Sequence, residues 1–434
     1  MARHTALVQN KCQGVALNTP VFAIVGASLA GARAAEALRA AGFDGRIALI
    51  GAERHPPYER PPLSKAVLLG KAEPSSLLLR DDWDALGVEL ILGDPVTSIS
   101  SAERLVLLAS GASLRADKVL LATGGRCLRL DLPGAGLAGV HTLRELDDAT
   151  RLGAELVPGA RVVVIGGGFI GLEVAASSRM LGCDVIVVEA ASVPLSRGLG
   201  SSYGAFVAEQ HISRGVRVGV GVGVRAILGV DRVTGVELDD GSVLPADVVV
   251  VGIGIAPRTE LAAGLGVEVR QGIVVDAAAR TANPAVFAAG DVTVQPSWRG
   301  DRLVRYESYQ NAQQQAAAAA ASMLGRPAAE REAPWFWSDQ FDLNIQIAGD
   351  VTEPDEVVVR GDRDALSFIS FHLRGATVAG VFAINRGREV RAAMKLISAA
   401  VPVSAEELMD ESADLRRLVR RIPTQLQPRA AYPG

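Results

Sequence analysis

Two glycine turns and one lysine are the places in this 434-residue chain where residue types and spacing could do chemistry. Gly166, Gly168 and Gly171 in GGGFIGLE satisfy G-x-G-x-x-G. The first glycine permits a tight turn, the second lets backbone approach a pyrophosphate, and the third lets a helix pack closely. A helix opening after such a turn aims its N–H groups and positive dipole end at phosphates. Downstream, Glu189 offers a carboxylate to an adenosine ribose and would repel a 2′-phosphate, so NADH is expected over NADPH. The second turn, GASLAG, keeps Gly26 and Gly31 but has Ser28 in the middle, where a side chain narrows access to phosphate. Its acid is displaced. Gly51 stands where Glu189 stands, so Glu53 would have to reach back; the other reading is a solvated loop glutamate.

The lysine is Lys65, at the end of HPPYERPPLSK, where four prolines stiffen the backbone and Ser64 is expected to cap a short helix. A cation near a helix N-terminus is unfavourable, so an anion from elsewhere in the fold should compensate it. Glu173, expected in the first turn of the helix after Gly171, is the candidate. Thiol chemistry is disfavoured, because Cys12, Cys127 and Cys183 form no C-x-x-C pair and none lies between Cys12 and Cys127. His4, His55, His141, His211 and His372 show no metal-ligand or triad spacing.

The elements that must position these groups are legible as an internal repeat. Val162–Ile165 is an unbroken β-branched run, as in a parallel strand covered on both faces; Gly182 ends the following helix, and Val185–Val188 is the second strand. Val21–Val25, an alanine-rich helix through Ala41, and Arg46–Ile50 repeat that order. Val119–Ala122 is a further buried strand leading into Thr123 and Gly124, a turn open to a ligand or a plain crossover loop. A helix is expected around Tyr203 to Arg214, then strands to DVVVVGIGIAP, with Gly252 and Gly254 allowing close approach. TANPAVFAAGD ends a strand on Gly290 and Asp291, a cap or a ligand carboxylate, and a strong helix runs from Glu307. After Gly325-Arg326-Pro327 come PWFWSDQF, strand-like segments Glu356–Val359, Leu366–Leu373 and Thr377–Ile384, and a helix from about Glu389 to Ala399. The fold class is therefore α/β, with two Rossmann-like dinucleotide-binding domains and a C-terminal α+β domain.

Composition bounds the partners. A net charge of −4 without single-sign blocks gives no sign of nucleic-acid binding, and no apolar run approaches the ~20 residues of a membrane helix. Three scattered cysteines fit a reducing cytoplasm. Residues 1–20 lack a signal-peptide core and read as a flexible N-terminal extension.

GASLAG, RPPLSK, LLATGGR, GGGFIGLE, VGIGIAP, FAAGD and PWFWSDQ, in that order, resemble the oxygenase-coupled ferredoxin reductases over about residues 21–410. The resemblance implies a glutathione-reductase-like arrangement: an FAD-binding domain at 21–143 and 256–328, an NADH-binding domain at 144–255, and the C-terminal domain at 329–434. It places Ala30 at the FAD pyrophosphate, the Val96 backbone at adenine, Arg144 and Tyr309 on FAD, Asp291 at a ribitol hydroxyl, and Gly252 and Gly254 near the nicotinamide. Arg60 and Ile170, inside the same motifs, count with the cofactor-binding residues. Lys65 would stand beside the hydride-accepting nitrogen with Glu173 positioning it, and Trp337 against the flavin edge, shaping the acceptor's docking site. Many relatives carry an acid where Ala52 stands.

The implied activity is NADH:ferredoxin oxidoreduction through FAD, serving a cytochrome P450 or ring-hydroxylating oxygenase. Arg302, Arg305, Arg386, Arg388, Arg391 and Lys395 either form a local basic surface that would steer a small acidic two-iron ferredoxin or are solvated surface charges with no partner. The rival readings are the same flavin chemistry with rubredoxin, oxygen or a quinone as acceptor, and an NADH-sensing interaction flavoprotein.

Overall fold

The computed structural model describes residues 19–300 and 302–420, so the expected N-terminal extension, apart from its last two residues, lies outside the described part. The described residues divide into two compact units, one of 19–58 with 78–125 and 257–330, the other of 59–77, 126–256 and 331–420.

In the first unit β1 (Val21–Val25), α1 (Leu29–Ala40) and β2 (Arg46–Gly51) form a parallel βαβ, with Val25 opposite Ile50. Strands Lys118–Leu121, Val286–Ala288 and Val88–Leu92 extend it to a five-stranded parallel sheet in the order 286–288, 118–121, β1, β2, 88–92. β1 and β2 are almost wholly buried, which accounts for their continuous rather than alternating apolar pattern. The helix Tyr309–Met323 starts two residues later than expected, because Ser308 caps it by accepting from the Asn311 N–H. Its alanines pack against those of α1: Ala316, Ala319 and Ala320 share a core with Ala32, Ala34, Ala35 and Leu38. Small side chains on both helices permit the close approach.

The second unit repeats the motif. β3 (Arg161–Ile165), α2 (Phe169–Met180) and β4 (Asp184–Glu189) pair with Ile165 opposite Val188, inside a parallel sheet that adds strands 217–220, 248–251 and 140–141. Gly182 ends the helix with φ of +85°. Helix α3 (Ser196–Ser213) begins well before Tyr203 and is kinked at Gly200. The C-terminal region is a five-stranded antiparallel sheet with the helix Gly387–Ala399 packed on it. Two of its strands, β5 (Trp335–Gln340) and Leu343–Gly349, were not among those expected from the sequence. The other three strands and the helix lie where the pattern placed them.

Candidate active site

The two glycine turns have matching backbone geometry. Gly26 N–H donates to Ile50 O at 2.8 Å and Gly166 N–H to Val188 O at 2.8 Å, each fastening its turn to the second strand of its own repeat. Gly26 and Gly166 have φ of +119° and +105°. A Cβ on Gly31 would fall 1.9 Å from Gly26 O, and one on Gly171 2.1 Å from Gly166 O, so both third glycines are demanded by packing. Gly168 is different. A Cβ there would meet no protein atom nearer than 3.9 Å, so the protein's own packing does not require the glycine. A residue kept small beside open space and a helix N-terminus fits a pyrophosphate that passes there. Ser28 holds the same N-cap position on α1, with its carbonyl accepting from Ala32 N–H at 2.9 Å.

In the first unit Glu53 accepts from the buried Tyr58 hydroxyl at 2.5 Å. Sequence reasoning missed Tyr58, whose only signal is its place two residues before RPPLSK. Ala30 is buried at the start of α1, and a Cβ on Gly290 would lie 3.1 Å from it, so this helix end and the turn bearing Asp291 are tightly apposed. That turn is held by Gln315, also missed: its Oε1 accepts from Gly290 N–H at 2.8 Å and from the Thr293 hydroxyl at 2.9 Å. Asn311, one turn back from Gln315 and two residues after Tyr309, accepts from Gln295 at 2.6 Å. Thr123 donates to Arg258 O at 2.7 Å and Gly124 O accepts from Arg258 N–H at 2.9 Å, closing the turn. Val96 opens the antiparallel strand Val96–Ser100 and is half-buried.

In the second unit the Glu189 carboxylate accepts from Gly167 N–H at 2.6 Å and Ala191 N–H at 2.8 Å, which ties it to the glycine turn. Ile170, 47% exposed on the first turn of α2, leaves an apolar side chain in the open. Gly252 faces Gly171, and Gly254 has φ of +106°. Arg60 donates to the carbonyl of Arg144, which brings those two arginines together.

Lys65 Nζ lies 2.8 Å from Glu173 Oε2 and 3.0 Å from Pro61 O. Two expectations about its surroundings need correction. Ser64 is not a cap: it lies inside a π-helical turn, Leu63–Val67, that starts after Pro62, and its hydroxyl donates to Glu173 Oε2 at 2.5 Å. Glu173 stands beyond the first turn of α2 and is 2% exposed, so the lysine and two hydroxyls compensate it rather than the helix dipole. Trp337 stacks on Trp335 with centroids 5.0 Å apart.

Cys127 and Cys183 are free thiols pushed up by burial, which disfavours thiolate; Cys12 lies outside the described residues. Arg388, Arg391 and Lys395 are exposed on the helix Gly387–Ala399, at positions that share a face. Arg386 instead pairs with Glu389 and Glu411, and Arg305 with Glu307; Arg302 is exposed.

Residues 21–316 match the pyridine nucleotide-disulphide oxidoreductase family and residues 335–419 the reductase C-terminal family. A probable ferredoxin reductase of Castellaniella defragrans is 42% identical, over 91% of this chain and 98% of that relative. The ferredoxin–NAD(+) reductase component of the biphenyl dioxygenase system of Paraburkholderia xenovorans is 41% identical, over 93% and 99%. Among solved structures, a covalent putidaredoxin reductase–putidaredoxin complex matches with a TM-score of 0.89 and 37% identity, covering 93% of this chain and 99% of that one.

Proposed function

The chain belongs to the pyridine nucleotide-disulphide oxidoreductase family, with a reductase C-terminal domain, and from that membership we propose how its residues divide the work of an NADH:ferredoxin reductase. The enzyme passes electrons from NADH, through FAD, to a small iron–sulfur ferredoxin serving a dioxygenase or cytochrome P450. Bound FAD supplies the conversion of a two-electron hydride donor into two single-electron deliveries.

The protein's part is to hold and bias. Gly26, Ser28, Ala30 and Gly31 take the FAD pyrophosphate, Glu53 the ribose, Val96 the adenine and Asp291 the ribitol. Arg60, Thr123, Gly124, Arg144, Tyr309 and Trp337 complete the FAD contacts. Gly166, Gly168, Ile170 and Gly171 take the NADH pyrophosphate, Glu189 its ribose, and Gly252 and Gly254 the nicotinamide end. Lys65 acts on the flavin as a fixed positive charge, and Glu173 holds that charge in place. The functional division we propose is FAD at 21–143 and 256–328, NADH at 144–255, and acceptor recognition in 329–434.

The carrying observation is Gly168 at the N-terminus of α2, where a Cβ would come no nearer to the protein than 3.9 Å, so packing does not account for the glycine. Free thiols at Cys127 and Cys183 support a cytoplasmic site of action, and among the described residues no helix is long and apolar enough to cross a membrane. The acceptor is read as acidic, steered by Arg388, Arg391 and Lys395. NADH-driven cytochrome c reduction by the FAD-loaded protein, with and without a small acidic two-iron ferredoxin, tests this. A large ferredoxin-dependent rate that falls between low and high salt is expected. Rapid flavin reduction by NADH with no ferredoxin-dependent increase would move the reading to another acceptor.

A further inference from the structure

The Lys65–Glu173 pair is the near end of a longer buried chain of hydrogen bonds. Ser338, fully buried on β5, donates to Glu173 Oε1 at 2.6 Å. Gln340, two residues along the same strand and also fully buried, donates from Nε2 to Ser338 Oγ at 3.0 Å. Behind it His211 of α3, with no exposed surface, meets Gln340 Oε1 through Nε2 at 2.8 Å.

Chemistry fixes the direction of this chain. An ionised carboxylate only accepts, so the Ser338 proton points at Glu173 and the serine oxygen is left as acceptor. The Gln340 amide group that fills it turns the amide oxygen toward His211, which must then carry its proton on Nε2. Burial holds His211 far below the usual histidine range, at about 4, so the imidazole is neutral and carries a single proton at neutral pH. Every donor points toward Glu173, and each bond polarises the next.

The carboxylate is thereby gripped from two sides. Ser64 and Lys65 engage Oε2, whereas Ser338 engages Oε1. Without Ser338 the carboxylate could turn about its last torsion, and Lys65 would follow. β5 also links two surfaces. Its period of two puts Ser338 and Gln340 on the face of Phe336, which packs on Phe169 of α2 at 4.5 Å, and puts Trp335 and Trp337 on the other.

We propose that Ser338 is a positioning residue for the Lys65–Glu173 pair, oriented by Gln340 and His211, so that the C-terminal sheet sets where the Lys65 charge sits. The proposal rests on the reading of Lys65 as the residue that acts on the flavin.

The test is a double-mutant cycle on the FAD-loaded full chain, following flavin reduction by NADH in a stopped-flow instrument. Ser338→Ala is expected to slow reduction about tenfold with the NADH Kd unchanged, and Ser338→Thr, which keeps the hydroxyl, to recover most of the rate. In the Lys65→Met background Ser338→Ala is expected to add less than about twofold, since its route of action is already gone. Effects that multiply in that background, or no effect of Ser338→Ala where Lys65→Met slows reduction, would overturn the proposal and leave the Lys65 reading standing. Reduction unchanged by Lys65→Met would sink that reading and the proposal with it. A second readout is independent of turnover. In ¹⁵N-histidine NMR of the same protein, assigned with His211→Gln, His211 is expected as the Nε2–H tautomer, neutral at pH 6 and shifted by Ser338→Ala. An Nδ1–H tautomer, or ordinary titration near 6.5, would break the chain at its far end.

Discussion

Glu189 carries two duties on one carboxylate. It ties the glycine turn through Gly167 N–H and Ala191 N–H, and in the proposed NADH site it would keep a negative charge where a 2′-phosphate would sit. At ~7 Å and an effective dielectric of ~20 that repulsion is worth about 2 kcal/mol, or roughly thirtyfold in rate. Glu189→Ala should therefore cut the ratio of kcat/KM for NADH over NADPH by about that factor, and an unchanged ratio would remove Glu189 from cofactor selection. Lys65 asks for a different design, because Lys65→Met alone strands Glu173 as a buried, less compensated charge, at a stability cost on the order of 3 kcal/mol. Lys65→Met with Glu173→Gln should recover much of that loss in thermal unfolding, while flavin reduction stays slowed by about 10–100-fold. Recovery of the rate as well would show that the single variant was only misfolded. The Lys65–Glu173 contact was expected from the need of the lysine for an anion, although both helix-end arguments behind it failed: Ser64 is no cap and Glu173 lies beyond the first turn of α2. Tyr58 and Gln315 were not, since nothing near either in sequence says that its partner is Glu53 or Gly290.

At the scale of elements, the second βαβ unit was legible because each signal agreed with the others, β-branched strands, glycines at fixed spacing and the stop at Gly182, and the first was legible as its repeat despite Ser28 in the middle position. β5 was not, for a physical reason. Its inward face carries Phe336, Ser338 and Gln340, so the alternation that marks a half-buried strand is written in buried polar groups rather than apolar ones. The π-helical turn around Ser64 escaped for a similar reason, since a serine after two prolines reads as a cap until Glu173 draws its hydroxyl inward. The glycine turn of α2 allows packing and ligand roles to be separated by mutation. Gly171→Ala puts a methyl 2.1 Å from Gly166 O and should destabilise the protein by roughly 2–4 kcal/mol. Gly168→Ala meets nothing closer than Gly252 O at 3.9 Å, an ordinary contact, so the melting temperature should hold while the Kd for NADH rises about tenfold or more. Unchanged NADH affinity in Gly168→Ala would mean that the pyrophosphate does not pass there.

For the whole molecule, two buried histidines should contribute to how stability follows pH. Desolvation lowers His211 to about 4, opposed by its bond to Gln340 and reinforced by the nearby Arg214 charge. Desolvation also lowers His372 to about 4, against the backbone of Val351 and the charge of Asp350; its Nε2 bonds the Tyr203 hydroxyl at 2.8 Å. In the unfolded chain each would titrate near ~6.5, so between pH 6.5 and 4 the unfolded state binds more protons than the folded one. Stability is then greatest above about pH 6.5, falls as pH drops through that window, and stops falling on this account below about 4. Each shift corresponds to roughly 3 kcal/mol, a large share of the ~5–15 kcal/mol that holds a domain folded. Urea unfolding at pH 7 and pH 4.5 should therefore show a steep loss for the native protein. His211→Gln with His372→Gln should start lower at pH 7, because two buried hydrogen bonds are rebuilt, yet lose clearly less on acidification. Equal losses in the two proteins would mean that carboxylate protonation, rather than forced charging of these histidines, governs acid unfolding. Because His211 also ends the chain that reaches Glu173, the same variants join the acid sensitivity of the fold to the setting of the Lys65 charge: a protonated His211 still donates to Gln340, but only by placing a cation on a side chain with no exposed surface.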